Sequence, residues 1–448
     1  MLHGLLETRW RYPRSVTIMA ELRNANVETA IAEAMALRNS HALEESASVH
    51  FVRIVALEAG SDLRGHVLPP RLLINGIFEG TPKTFYEELT AAFGQRLVDL
   101  LQNCTSFDAS HSEDLPGWMR RNAIRPQTLH VGTLHDELKN IREENLLQIA
   151  IERFIDDQQC GRAWSGADPA TIHRDILAYV RSRPDLTQSH RSARTLRSRI
   201  FQTLDLLGGI AFVSVPPILL ACLIVYLCNM NWWSLFWLVP TVVLFGLTFV
   251  ALTIRYFEIT EGDLVVVPKT GQTRELVEDE DFGIQNQITL VVPVRDSGFR
   301  RLSIRIVLWV ANSFSKHWYQ RGQLAGIDTI HFARFHLIDG GRRMVFISDF
   351  DGGWERYLFD FLGVGSLAVV PIWSNLHGCP KARLLRFPLP GFAQRFLPFT
   401  RARQVRSHFN YSAVPDLTVT EIKRNADIRA GLFQVRDDAA IQRWLDLF

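Results

Sequence analysis

A surplus of charge of either sign is missing from this sequence. Its 448 residues carry 49 Lys and Arg against 47 Asp and Glu. No bulk charge therefore draws it to nucleic acid, whose phosphates select basic surfaces. Cysteine is scarce as well. Cys104, Cys160, Cys222, Cys228 and Cys379 form no C-x-x-C pair, which excludes a regular disulfide framework or a cysteine zinc site. Scattered thiols in odd number suit a reducing, cytoplasmic setting. The sequons Asn103-Cys-Thr105 and Asn410-Tyr-Ser412 are then expected to carry no sugar. No H-E-x-x-H, G-x-S-x-G or P-loop pattern occurs, so the reactions those motifs mark are excluded. Gly363-Val-Gly365-Ser-Leu-Ala368 mimics a dinucleotide fingerprint, but it follows helix-like sequence rather than a strand and is rejected. The N-terminal MLHGLLETRWRYPRS is too polar for a secretory signal.

The most informative lack is local. Between Leu206 and Ile254 there is no charged side chain. The apolar runs 206–228 and 232–254 each reach the length of about 20 helical residues that crosses a hydrocarbon core. Lipid leaves backbone amides no outside partner, so such runs must be helical. Joined by Asn229, Met230 and Asn231, they read as a two-helix transmembrane hairpin. Trp232, Trp233 and Trp237 near the turn suit the membrane interface, and Pro216, Pro217 and Pro240 predict kinks. Arg191, Arg194, Arg197 and Arg199 precede the first run, Arg255 follows the second, and the turn has no Lys or Arg. Both large polar portions are therefore expected in the cytoplasm.

What is there on either side is mixed helix and strand. Residues 1–45 read as a helical segment, from the run Asn26–Leu37. Strands are expected at 48–57, 71–80 and 127–133, and helices at 81–104, with Thr81 or Thr84 as N-cap, and at 134–156. Residues 158–205 read as a polar linker. After the hairpin, 259–269 alternates like a strand. Glu278-Asp-Glu-Asp281 reads as a solvated linker, and no metal site is expected. Strands follow at 285–294, 329–339, 342–352 and 408–413. Helices are expected at 298–322, 354–375 and 417–432, the last with Asp416 or Thr418 near its start.

The two polar portions repeat each other. Val49-His50-Phe51-Val52-Arg53 matches Ile330-His331-Phe332-Ala333-Arg334, and Asn140-Ile141-Arg142 corresponds to Glu421-Ile422-Lys423. Both pairs share an offset of 281 residues. Phe78-Glu79-Gly80 matches Phe350-Asp351-Gly352 at an offset of 272, so the first copy carries nine extra residues between its two strands. Antiparallel strands with helices on one face make an α+β unit. The expected fold is α+β: two ferredoxin-like repeats, 46–157 and 326–448, burying their open sheet faces against each other as an intrachain α+β barrel. The hairpin at 206–254 and a connecting segment at 255–325 lie between them.

The motifs GIQNQIT (283–289), GIDTIHFARF (326–335), ISDFDGGWERYLFDF (347–361), PIWSN (371–375) and NYSAVPDLTVTEIKRNADIRAGL (410–432) resemble a family of bacterial membrane-associated proteins with no firm activity. That resemblance implies a bacterial inner membrane. A more distant, architectural resemblance is to dye-decolourising peroxidases, haem enzymes of two ferredoxin-like modules with a distal Asp in a G-x-x-D-G motif. Ser348-Asp349-Phe350-Asp351-Gly352 keeps the final Asp-Gly without the leading Gly. Gly76-Ile77-Phe78-Glu79-Gly80 keeps both glycines with Glu for Asp.

These observations nominate site residues without choosing between two roles for them. Strand alternation puts His331, Ala333 and Phe335 on one face and Phe332 and Arg334 on the other. The His and Arg shared by both copies mark either a paired site or a common structural role. A haem site would use Asp351 and Arg334 on its distal wall, near His331, with His377 or His408 as the iron ligand. Asp351-Gly352 also reads as ordinary turn chemistry. Arginine mixed with aromatics at 300–319 and 383–403 suits either lipid headgroups or a core between the repeats. The expected function is a membrane-anchored cytoplasmic module that binds lipid or a protein partner. The alternative is a haem-dependent, peroxidase-like oxidoreductase acting on an apolar substrate such as a lipid peroxide.

Overall fold

The computed structural model describes residues 13–39, 41–133, 137–161, 164, 166–186, 196–262, 264, 266–280, 283–317, 327–363, 366–434 and 437–448. The first half runs β1 (Arg14–Glu21), α1 (Val27–Ala36), β2 (Val49–Leu57), a small ladder of β3 (Gly60–Ser61) with β4 (Val67–Leu68), and β5 (Arg71–Phe78). It continues with α2 (Pro82–Phe93), α3 (Gln95–Leu101), α4 (Leu115–Arg121), β6 (Ala123–Ile124), β7 (Thr128–Val131), α5 (Leu138–Cys160) and α6 (Pro169–Arg181). Two long helices follow, α7 (Leu196–Leu227) and α8 (Leu235–Thr260), then α9 (Thr270–Glu278). The second half runs β8 (Gln285–Pro293), α10 (Gly298–His317), β9 (Ile330–Ile338), β10 (Arg343–Asp351), α11 (Trp354–Gly363) and α12 (Ser366–Trp373). It ends with β11 (Ala382–Arg383), β12 (Phe387–Pro388), α13 (Phe392–Arg403), β13 (Phe409–Ser412), α14 (Val419–Gln434) and α15 (Asp438–Leu445).

The elements start where local chemistry directs. Thr81 caps α2 by accepting the Thr84 amide at 3.2 Å, with Pro82 pre-set at the first helical position. Gly94, at φ 51°, then splits the expected single helix into α2 and α3. Thr418 and Glu421 close a reciprocal capping box at the start of α14.

Two antiparallel sheets result, ordered β13-β2-β5-β1-β6 and β7-β9-β10-β8. Each contains one strand from the other half. β7 pairs with β9, Thr128 opposite Phe335 and Val131 opposite Phe332. β13 pairs with β2, Phe409 opposite Ile54 and Ser412 opposite Phe51. Moving β7 forward and β9 back by 281 residues turns the first ladder into the second. The nine extra residues of the first copy are the β3–β4 ladder, which stands where the second half has only the short turn between β9 and β10.

Helices cover the outer face of each sheet. Ile18, Ile54, Ile74, Phe85, Leu89 and Trp118 centre the first core, and Leu290, Phe346, Tyr357, Trp373 and Phe396 the second. The inner faces meet through Val55, Leu57, Leu73, Ile338, Val345 and Ile347 at one end. Phe51, Ile77, Val131 and Phe332 fill the other. A fifth cluster joins α5, α6, α14 and α15 through Leu147, Ile151, Ile176, Ile428 and Trp444.

Several expectations are corrected. Residues 14–21, inside the segment read as helical, form β1, which lies between β5 and β6. Its alternation was overshadowed by the helix-rich run that follows. The polar linker contains α6, whose N-cap is Asp168. The first span begins within a longer helix, at Leu196, and α8 continues to Thr260 where a strand was expected. The middle of the acidic run is paired rather than solvated, while Glu278 is exposed. Asp279 accepts from Arg38 at 3.1 Å and Arg406 at 3.0 Å, and Glu280 from Arg401 at 2.6 Å and Gln404 at 2.8 Å. Burial alone would raise the Asp279 pKa, but the two arginines hold it down at about 2. Asp281, Arg191 and Arg194 lie outside the described residues.

Among the described residues one helical stretch, Trp232–Thr260, is long and apolar enough to cross a membrane, and Ser214–Leu227 of α7 is a shorter apolar stretch. Leu219, Tyr226, Phe236, Trp237, Phe245 and Leu252 are all exposed. The end of α8 is clamped to the second half. Glu261 accepts from Arg295 at 3.2 Å and from the buried Arg300 at 2.8 Å, and Phe257 stacks on Phe299 at 5.0 Å. Glu258 accepts the Leu385 amide at 2.8 Å. That bond holds the β11–β12 turn, where Leu384 and Leu385 adopt φ 51° and 59°, a conformation normally taken by Asn-Gly.

Candidate functional site at the sheet interface

The residues nominated from the sequence occupy the layer between the two sheets and its rim. His50 and His331 are the extra residues of two matching β-bulges. Val49 and Phe51 pair with Phe78 and Ile77, while Ile330 and Phe332 pair with Phe350 and Asp349. A bulge re-aims a side chain, and it breaks the expected alternation. His331 does not share a face with Ala333 and Phe335, which belong to the second core. Instead it meets Phe51 of the other half at 5.7 Å, as His50 meets Phe332 at 6.1 Å. Phe51 and Phe332, one offset apart, pack edge to face at 5.3 Å. Reciprocal contacts of this kind are those of a two-fold dimer interface, formed here within one chain.

Each bulge histidine pairs with the acid that ends its neighbouring strand. His50 Nε2 lies 2.7 Å from Glu79 Oε1, and His331 Nε2 lies 2.7 Å from Asp351 Oδ1. Each acid also receives a helix start. Glu79 accepts the Leu138 amide at the beginning of α5, and Asp351 accepts the Val419 amide at the beginning of α14 at 2.8 Å. A carboxylate there satisfies an orphan N–H and meets the positive end of the helix. Histidine, acid and helix start thus fix each long helix to its own sheet.

Deeper in lies a charge cluster that is not symmetric. Asp349, on β10, accepts from Arg53 through Oδ1 and from Arg334 Nη1 through Oδ2, the latter at 2.7 Å. Arg53 also donates to the Ile288 carbonyl at 2.8 Å and the Ser348 carbonyl at 3.0 Å, and Arg334 Nε to Asn75 Oδ1 at 2.7 Å. Asn75 in turn donates to Thr17, which meets His336 Nε2 at 3.1 Å. All three charged side chains are at least 98 % buried. Burial alone would raise the Asp349 pKa, but Arg53 and Arg334 hold it below the usual carboxylate value. Burial, with Arg334 opposing Asp349, brings Arg53 down to about 10. Burial first and Arg334 second push His336 down to about 3, so it is neutral. Two cations share one anion away from water, with its oxygens taken up in pairing. That arrangement compensates charge rather than transferring protons or electrons.

The site expected from the sequence is therefore rearranged. Asp351 and Arg334 do not converge on a common wall: Asp351 serves His331 and α14, while Arg334 serves Asp349. Sequence reasoning missed Asp349, although an acid in the middle of the apolar strand RMVFISDFD was itself a signal, because a buried carboxylate demands a cation. His408 is occupied as an acceptor for the Ala56 amide at 3.1 Å, and burial with Arg38 and Arg406 lowers it to about 4. His377 sits beside Arg403 and Arg295, and burial and those cations lower its pKa. The residues do not fit a haem. The space between the two sheets is filled by Phe51, Ile77, Phe332, Val345 and Ile347 and the charge cluster, and His408 is already engaged by the Ala56 amide.

The expected lipid-facing segments divide. Phe392, Phe396 and Phe399 belong to the second core, whereas Leu384 and Phe387 are exposed at the β11–β12 turn, with Arg386 over the Phe387 ring at 5.4 Å. On α10, Leu302, Ile306 and Val310 form an exposed stripe at helical spacing. Phe314, Lys316 and Trp318 lie outside the described side chains.

No protein-family model matches the chain, and no solved structure matches it. Part of it is similar to lipoprotein signal peptidases. The protein of that name from Shewanella halifaxensis (strain HAW-EB4) is 34% identical over 86 residues, which is 18% of this chain and 48% of that protein. Its counterpart from Shewanella pealeana (strain ATCC 700345 / ANG-SQ1) is 30% identical over 86 residues, again 18% and 48%. The one from Pseudoalteromonas atlantica (strain T6c / ATCC BAA-1087) is 31% identical over 83 residues, 18% and 49%. The chain spans about half the length of the curated relatives it matches.

Proposed function

We propose that this chain is a membrane-anchored α+β module, made of two ferredoxin-like repeats, that binds a lipid or a protein partner at the membrane surface. The uncovered apolar surface of α7 and α8 carries the reading. In water that surface would be a large exposed patch, and in lipid it has a matching solvent. The helices form a transmembrane hairpin with its Trp-rich turn on the far side. Both repeats then lie on the side where Arg255 and the arginines before the first span are found, the cytoplasmic side of a bacterial inner membrane. The Glu261 clasp fixes the second repeat close to the bilayer, where the Leu302–Val310 stripe and the Leu384–Phe387 turn meet headgroups. The partial similarity to lipoprotein signal peptidases supports the membrane setting. It is not extended to peptidase chemistry, because the match to the first of them covers only 18% of this chain and 48% of that protein. The reading is tested by replacing 206–254 with a short Gly/Ser linker and fractionating cells with an alkaline carbonate wash. Release of most of the protein into the soluble fraction is expected, and full retention in the washed membrane would sink the anchor.

A further inference from the structure

A cavity of about 660 Å³ opens in the first half, between the β6 edge of the first sheet and helices α2 and α4. Its size falls in the range of small-molecule sites, roughly 300–1,000 Å³. The inner wall is apolar: Val16 of β1, Phe78 of β5, Ile124 of β6 and Leu129 of β7. The rim is basic. Arg14, Lys83, Arg120 and Arg125 line it against one carboxylate, Asp114. That carboxylate is engaged as the N-cap of α4, accepting the Gly117 amide at 2.8 Å.

Tyr86 lines the cavity from α2. Its ring is buried, and its hydroxyl makes no hydrogen bond among the described residues. Burial pushes the phenol pKa up, and Arg125 and Arg120 pull it the other way, so two guanidiniums stand within electrostatic reach of that hydroxyl. The first turn of α2, at Pro82 and Lys83, also borders the cavity and adds the positive end of a 12-residue helix. An apolar wall, a basic rim and a buried hydroxyl between them complement a negative charge on an apolar body.

We propose that this cavity binds an amphiphilic anion, with a phosphate or carboxylate head at Arg120, Arg125 and the Tyr86 hydroxyl and an apolar body against Val16, Phe78 and Ile124. Apart from Asn312 of α10 the lining comes from the first half, and none of it comes from the hairpin, so this inference and the anchor stand or fall separately. Arginine favours such heads because its planar fork matches two oxygens at once.

The test uses the full chain in nanodiscs of neutral phosphatidylcholine, followed by titration calorimetry. The probes are dihexanoyl phosphatidic acid, dodecanoate, dodecanol and inorganic phosphate. Saturable one-to-one binding of at least one anionic amphiphile is expected, at least about tenfold tighter than dodecanol or phosphate alone. A preference for the phosphatidic acid points to a membrane lipid as the source, and a preference for dodecanoate to a soluble acyl acid. The variant Arg120→Ala/Arg125→Ala, whose two side chains are on the surface, is expected to lose at least about tenfold in affinity while keeping its circular dichroism. Arg301→Ala on α10, away from the cavity lining, is expected to lose nothing. Equal binding of dodecanol and dodecanoate, phosphate binding as tight as either amphiphile, or unchanged affinity in the double variant would each overturn the proposal.

Discussion

Replacing Asp349 by Asn tests whether the cluster between the sheets holds the two halves together. The carboxylate serves Arg53 through one oxygen and Arg334 through the other. Asparagine keeps one acceptor and turns an NH₂ toward a guanidinium. The variant loses a charge-assisted hydrogen bond, about 1.5–3 kcal/mol, and leaves two buried cations with no anion. Removing one partner of a buried ion cluster typically costs about 3–5 kcal/mol, and that is the loss expected for Asp349→Asn in urea unfolding of the purified chain. The matching control removes all three charges: Arg53→Met, Asp349→Ile and Arg334→Leu together. Isoleucine is what the first half carries at the equivalent position, Ile77. Apolar replacement of a whole buried cluster is often neutral or stabilising, so the triple variant is expected within about 1 kcal/mol of the parent, or above it. pH supplies a second readout. The folded-state pKa of Asp349 is depressed below 3.8, so its contribution is fully present above the unfolded-state value and is lost as pH falls through the folded one. The parent should therefore lose stability below about pH 4 with a steeper slope than Asp349→Asn. A loss under about 1 kcal/mol for the single variant, with an unchanged acid limb, would refute the claim that this cluster is buried and coupled.

Two further outcomes follow from the same layer. Asp351→Asn removes the charged acceptor of the Val419 amide and the partner of His331, and should weaken the start of α14 by about 1 kcal/mol. Amide exchange at residues 419–421 would quicken several-fold, and unchanged exchange there would show that the helix start does not depend on the carboxylate. Gly132→Ala should destabilise the β7–β9 junction, because the new methyl would fall 2.0 Å from the Ile330 carbonyl oxygen, a backbone atom that cannot swing aside. A loss of about 1–3 kcal/mol is expected, read as a lowered urea midpoint, and a parent-like midpoint would refute the close packing of β7 against β9.

Much of the fold was legible because its signals are local. The β-branched and aromatic content of Val49–Leu57, Arg71–Phe78 and Ile330–Ile338, the cap at Thr81 and the capping box at Thr418 all act within a few residues. The internal match was legible because its two ends share one offset of 281 residues, on either side of a nine-residue difference. What was not legible depends on partners far away in sequence. The strand Arg14–Glu21 is specified by its neighbours β5 and β6, not by its own flanks, which favour helix. Glu278–Asp281 looked like a solvated run because nothing nearby says that Arg38 and Arg406 close over Asp279. The exchange of β7 and β13 between sheets is invisible to any reading of one copy alone.

The site was half legible, and the missing half has a physical cause. Comparing two copies highlights what they share, and it pointed to His50 with His331 and to Arg53 with Arg334. Those residues are shared because each copy uses them near a local two-fold axis, where equivalent side chains approach one another. Strict symmetry there would place either two carboxylates or none between two arginines. Two would crowd like charges in a dry space, and none would leave the arginines uncompensated. A single chain escapes that choice because its two halves can carry different residues. One keeps Ile77, the other has Asp349, and a single anion serves both cations. The residue that completes the cluster is therefore the one that repeat comparison must overlook, since it is found where the copies differ.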